Sequence, residues 1–200
     1  MGNDGTDAPC SSPAVEPSWM TFLPVKLFVG ILFQPQLEWS GILEKLESEI
    51  GDADFISKSV PFSHSTYYEN EMGPGLLKAF VGIKAPFDPA DLSKVKQQTC
   101  GIEQEFRIGD QRTINLDPGL VTLHNVILAS TKNFSHRIPL QDGIYAEVTL
   151  LYQNGGYQAL PWSYPDFQFP FYQSALLNLR ALHKTQLEVH SRSIMQERPA

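Results

Sequence analysis

The run KLFVGILF at residues 26–33 sets the tightest limit on the fold. After the leading Lys26, every position is apolar or glycine. Eight residues is strand length, and the lack of polar alternation points to a strand covered on both faces. Gly30, inside the run, marks a place where another group comes close to the backbone.

The segments on either side supply the partners for such a strand. Residues 36–50 carry Leu37, Ile42, Leu43, Leu46 and Ile50 near helical spacing, with Glu44, Glu47 and Glu49 turned outward and Gly51 at the C′ position. Residues 54–62 read as a second strand, and 76–84 as a third. Between them, 63–75 (SHSTYYENEMGPG) reads as a loop. Pro86, Pro89 and the nearby aspartates form a turn and cap into a helix over 90–105, which Gly101 weakens and where it can end and resume irregularly.

Residues 112–116 form a short strand. Asp117-Pro118 then matches an N-cap followed by proline at the first helical turn, with Leu120, Leu123, Ile127 and Leu128 as a buried helical face. A strand reading of the same run stays open, because β-branched residues are frequent in it. Residues 136–140 and 144–152 flank Gln141-Asp142-Gly143 as a hairpin, and Asn154-Gly155-Gly156 turns into 157–160. A last helix begins near Phe171.

The order β-α-β-β-α-β is that of a ferredoxin-like unit. An added helix and an antiparallel meander follow it. The expected fold is therefore α+β, with a mostly antiparallel sheet and helices on one face. Residues 1–24, rich in Gly, Asp, Ser and Pro, read as a disordered leader, 25–190 as one domain and 191–200 as a flexible tail.

Composition narrows the function classes. A net charge of −7 and a pI near 5.2 argue against a broad nucleic-acid surface. Cys10 and Cys100 have neither a disulfide framework nor metal-type spacing, which points to a reducing, cytoplasmic setting. No apolar run reaches the roughly 20 residues of a membrane span, and no secretory signal is present. The oligomeric state leaves no mark in the sequence. GxxxxGK[ST], HExxH, GxSxG and GxGxxG motifs are absent.

The polar candidates cluster in residues 114–147. Asn115 and Asp117 have the period-two spacing of one side of a strand end, where Asp117 serves either as a helix cap or as a ligand to a metal or hydroxyl. Lys132, His136 and Arg137 make an anion cradle, or else a dipole-compensating lysine beside a solvated arginine. Glu147 shares a strand face with Tyr145 and Thr149. It is inert if that face is solvated, and a base or metal ligand if the face lines a pocket. In the aromatic loop, Tyr68 is placed to stack and Glu71 to bind a cation. The Trp162–Phe167 stretch reads as an aromatic plug at a core edge.

Taken together, KLFVGILF, Thr66-Tyr67-Tyr68-x-x-Glu71-Met72-Gly73, NLDPG, Thr131-Lys132, His136-Arg137-Ile138, GIYAEVTL and Trp162-x-Tyr164-Pro165-Asp166 resemble an uncharacterised prokaryotic family, domain of unknown function 4416. The resemblance runs in order over nearly the whole expected domain. It departs at Leu120 and Phe167, where members carry an aromatic and a tyrosine, and at Pro139, where a tyrosine is common. The charged members are all kept. The family brings no reaction with it.

Two expectations follow. The first is a polar pocket for a small anionic ligand, a nucleotide or phosphorylated metabolite. Lys132, Arg137, Tyr68 and Asn115 would bind it, with Glu147, His136 and Asp117 in proton transfer. Glu71 and Asp117 would hold magnesium or manganese, in metal-assisted phosphoryl-transfer or hydrolytic chemistry. The second is a non-catalytic interaction module in which the same residues are caps and staples.

Overall fold

A computed structural model describes residues 23–63, 65 and 67–196. The leader assigned to 1–24 lies almost wholly outside the described residues, as do 197–200 of the tail. Strands β1 (Lys26–Phe33), β2 (Ala53–Ile56), β3 (Val60–Pro61), β4 (Leu77–Ile83), β5 (Ile114–Val121), β6 (Asn125–Ser130), β7 (Ile138–Pro139), β8 (Tyr145–Gln153) and β9 (Gly156–Ala159) join in one sheet. Its helices are α1 (Trp39–Glu49), the single turn α2 (Glu69–Met72), α3 (Leu92–Glu105) and α4 (Pro170–Gln196). The main order is β2-β4-β1-β5-β6-β8-β7, every pairing is antiparallel, and β3 and β9 add to β4 and β8.

The first four positions of that order are those of a ferredoxin-like sheet, with β1 between β4 and β5. All eight residues of β1 are buried. Leu27, Val29, Ile31 and Phe33 face a core with Ile42 and Leu46 of α1 and Leu92, Val95 and Ile102 of α3. On the opposite face Phe28 joins Tyr172, Ala175, Leu176 and Leu179, one stripe of α4 at positions i, i+3, i+4 and i+7. Helices α1 and α3 share one face as expected. The added helix α4 covers the other, because a strand apolar on both sides needs two covers.

Three local expectations are corrected. No helix starts at Asp117: Ile114–Val121 and Asn125–Ser130 are strands of a hairpin, so the β-branched content of the run decides its conformation. The second strand is split into β2 and β3 around residues 57–59. Gly101 sits inside α3 with open space where a Cβ would lie, and does not end the helix. The turns behave as their residues require, with Asp142, Gly143, Asn154 and Gly155 all at positive φ. Helix α4 runs on through Gln196, into the segment read as a tail.

Candidate functional site

The site begins with a proline. β5 and β6 pair only over Gly119–Val121 and Val126–Leu128. Leu116 directs its N–H and C=O away from β1, so the period of two places Pro118 on the same outer edge, where continued pairing would need the N–H that proline lacks. The ladder stops and the two strands splay. Side chains of α3 satisfy the freed edge instead: Leu116 N–H donates to Glu103 Oε1 at 2.6 Å, and Lys96 Nζ donates to Leu116 O at 2.7 Å. Arg112 Nε donates to Ile114 O at 3.0 Å. Gly119, next in line, is where Phe28, Leu128 and the Ile127 carbonyl come so close that a Cβ would sit 2.6–2.8 Å from them.

Two adjoining cavities occupy the splay and the sheet face beside it, with volumes of about 210 and 100 Å³. Tyr67, Tyr68, Asn115, Asp117 and Tyr164 line both. The larger is walled by Phe28, Phe62, Phe80 and Phe167, with Lys78 and Asp166 as its additional charged groups. The smaller is polar, with Glu71, Lys96, Arg112, Ser130 and Lys132.

Asp117 sits where the two meet, its side chain 33% exposed into the cleft. Asn115 Nδ2 donates to its Oδ2 at 2.6 Å, and Lys96 Nζ lies 3.6 Å from its Oδ1. Burial opposes its ionisation, but Lys96, Lys78, the Asn115 hydrogen bond and Arg112 outweigh that and hold the carboxyl below its usual range. Arg112 in turn donates to the Asn115 side-chain oxygen, to Glu103 Oε2 at 3.0 Å and to Glu71 Oε1 at 3.3 Å. Burial raises the Glu103 pKa in spite of the Lys96 and Arg112 charges. Tyr68 is pushed strongly up, first by burial and then by Asp117, so its hydroxyl stays protonated and acts as a hydrogen-bonding group.

Two cations of the cleft have no carboxylate within ion-pair distance among the described residues. Lys132 Nζ donates to the Tyr67 hydroxyl at 2.8 Å. Lys78, only 7% exposed, makes no hydrogen bond or ion pair among the described residues. Its Nζ lies 5.5 Å from the Phe80 ring centre and 6.0 Å from that of Tyr172. Gly30 gives it room, since a Cβ there would stand 3.3 Å from Lys78 Nζ.

Glu147, His136 and Arg137 form a separate cluster and line neither cavity. The Glu147 face is not solvated: Glu147 is 2% exposed and Thr149 fully buried. Arg137 Nε donates to Glu147 Oε2 at 2.6 Å, His136 Nε2 lies 3.1 Å from the same oxygen, and Thr149 donates to Oε1. Arg137 also donates to Ser130 Oγ and Lys132 O, which fixes the wall of the polar cavity from behind. The His136 ring stacks between Phe134 and Trp162 at 6.0 and 5.1 Å. Trp162 and Ser163 donate to the Val148 and Thr149 carbonyls, which pins their loop so that Tyr164 and Asp166 overhang the cleft.

The structure thus brings Tyr68, Glu71, Asn115, Asp117 and Lys132 together and sets His136, Arg137 and Glu147 apart, one strand further along the sheet. The three-residue anion cradle does not form around one point, because Arg137 is taken up by Glu147, Ser130 and the Lys132 carbonyl. Glu71 and Asp117 are each held by a cationic or amide neighbour, and no group of three or more His, Cys, Asp or Glu placed to hold a metal is found among the described residues. Sequence reasoning missed Lys78, Lys96, Glu103 and Arg112. The signal for Lys78 was its position two residues before Phe80, on a strand where that face is buried. It also read the Asp166 loop as a plug, whereas Asp166 borders the larger cavity.

Fold and site together define an α+β protein with a ferredoxin-like first half and a two-part cleft where its sheet is extended. A family model, Domain of unknown function (DUF4416), matches residues 23–183, and the chain belongs to that family. No curated protein and no solved structure matches it. No helix among the described residues is long and apolar enough to cross a membrane.

Proposed function

We propose that the cleft binds a small organic anion, a nucleotide or a phosphorylated metabolite. One observation carries this reading. The carboxylates Glu71, Glu103 and Asp117 are engaged by Arg112, Lys96 and Asn115, whereas Lys132, at the polar end, has no carboxylate within ion-pair distance among the described residues. An anion supplies the charge it lacks, and aromatic walls beside a polar end suit a ligand with a flat or apolar body and a charged tail. Asp117, ionised and joined to both compartments, accepts a ligand hydroxyl or takes up a proton. Glu147 with His136 acts through the wall it stiffens.

Thermal-shift measurements with nucleoside monophosphates, sugar phosphates and inorganic phosphate test this, with and without magnesium or manganese. A ligand that binds only the folded chain raises Tm in step with its concentration. Lys132→Ala lowers every such response. No shift with any anion removes the reading.

A second reading, an interaction module, draws support from Phe134, Ile138 and Leu140, which are exposed along the edge strand β7 and its flanks. Cross-linking that converges on β7 while the anion screen stays silent would favour it.

A further inference from the structure

Nothing so far accounts for two groups in the larger cavity. Lys78 is a residue more than nine-tenths buried whose ammonium has no hydrogen-bond or carboxylate partner among the described residues, and it borders that cavity. On the same lining, Asp166 Oδ1 is a buried oxygen without a hydrogen-bond partner among the described residues. The Tyr172 hydroxyl stands beside the Asp166 carboxylate, whose charge and hydrogen bonding both act on it, but the two are too poorly aligned to satisfy each other in full, so Asp166 Oδ1 keeps capacity for a further donor. A buried donor and a buried acceptor left open are each costly, and folded chains seldom keep such groups without a use.

Lys78 already acts electrostatically on the Asp117 carboxylate that borders the same cavity, so what Lys78 and Asp166 Oδ1 lack is one hydrogen-bond acceptor and one donor, which a neutral group can offer. The walls are aromatic: Phe80 lies beside Lys78, and Tyr68 holds an edge-on contact with Phe62. A flat heterocycle with polar atoms around its rim has these properties, and a sugar does not. The adjoining polar compartment with Lys132 is where an attached phosphate falls.

We propose that the aromatic compartment is a nucleobase subsite, in which Lys78 Nζ donates to a ring carbonyl or ring nitrogen and Asp166 Oδ1 accepts from a ring N–H or amino group. The ligand of the cleft is then a nucleoside phosphate seated base-inward, with its phosphate toward Lys132. This rests on the cleft being an anion site, and selects one ligand class for it.

Calorimetric titration of the full chain with UMP, AMP, ribose 5-phosphate and inorganic phosphate tests it. The expected result is that at least one nucleotide binds on the order of tenfold or more tighter than ribose 5-phosphate, as one well-placed buried hydrogen bond allows. Lys78→Met and Asp166→Ala, which removes the acceptor, each erase that margin while the response to inorganic phosphate stays. Asp166→Ala, on a loop at the cavity rim, decides the matter if Lys78→Met does not fold. Ribose 5-phosphate binding as well as both nucleotides overturns the base subsite and leaves the anion site standing. Silence with all four probes overturns both.

Discussion

Single side chains here stand in for backbone. Glu103 and Lys96 occupy the edge of β5 where a neighbouring strand would normally pair, so the chemistry of each decides what its loss costs. Glu103→Gln keeps an oxygen for the Leu116 amide and removes a buried charge, and urea unfolding is expected to show little change. Glu103→Ala strands that amide and costs about 1–3 kcal/mol. Equal losses for the two variants would contradict this account. Glu147 is the harsher case, because its removal leaves the Arg137 guanidinium, 4% exposed, without its carboxylate. Glu147→Ala is expected to cost about 3–5 kcal/mol by the same measurement. At this scale the sequence was readable only in part. Asn115 and Asp117 could be placed on one side of a strand end, and they do line one cleft. Lys78 and Lys96 looked like ordinary lysines, because an absent counter-ion or a carbonyl on a distant strand leaves no trace in local spacing.

Among the elements, the hairpin of β5 and β6 shows why one stretch misled. Asp117-Pro118 has the chemistry of a helix start, and nothing local forbids that reading. The strand prevails because Ile114, Leu116, Leu120 and Val121 fill both cores, and because α3 provides partners for the edge that proline leaves open. Elements with self-contained signals were legible: the Gly51 stop after α1, the Gln141-Asp142-Gly143 hairpin and the start of α4 near Phe171. Gly119 tests the packing directly. A methyl group there meets the Ile127 carbonyl, which is backbone and has little room to yield. Gly119→Ala is expected to destabilise by about 1–3 kcal/mol in chemical unfolding, or to shift the hairpin. An unchanged midpoint and an unchanged spectrum would show that the close approach is not required.

For the whole molecule, stability should depend on pH through the α4 layer. His183 is buried, and burial, then the charges of Lys26 and Arg180, lowers its pKa from the ordinary 6.5. The unfolded chain therefore binds the proton more readily. The contribution is complete above about 6.5 and is lost as pH falls from there through the folded value. Unfolding free energy should drop over that interval, and His183→Leu should flatten the drop; a variant with the same slope would contradict this. At this scale the fold class followed from element order, whereas the cleft did not, since it exists only where an extended sheet separates and two loops close over the gap. Its occupation is the central claim. Titration of isotope-labelled protein with a nucleoside monophosphate, followed by amide NMR, tests it most directly. The account predicts that Gly30, Asn115, Asp117, Ser130 and Thr131 shift together and saturate, while α1 stays still. Shifts confined to the β7 edge, or none at all, would contradict it.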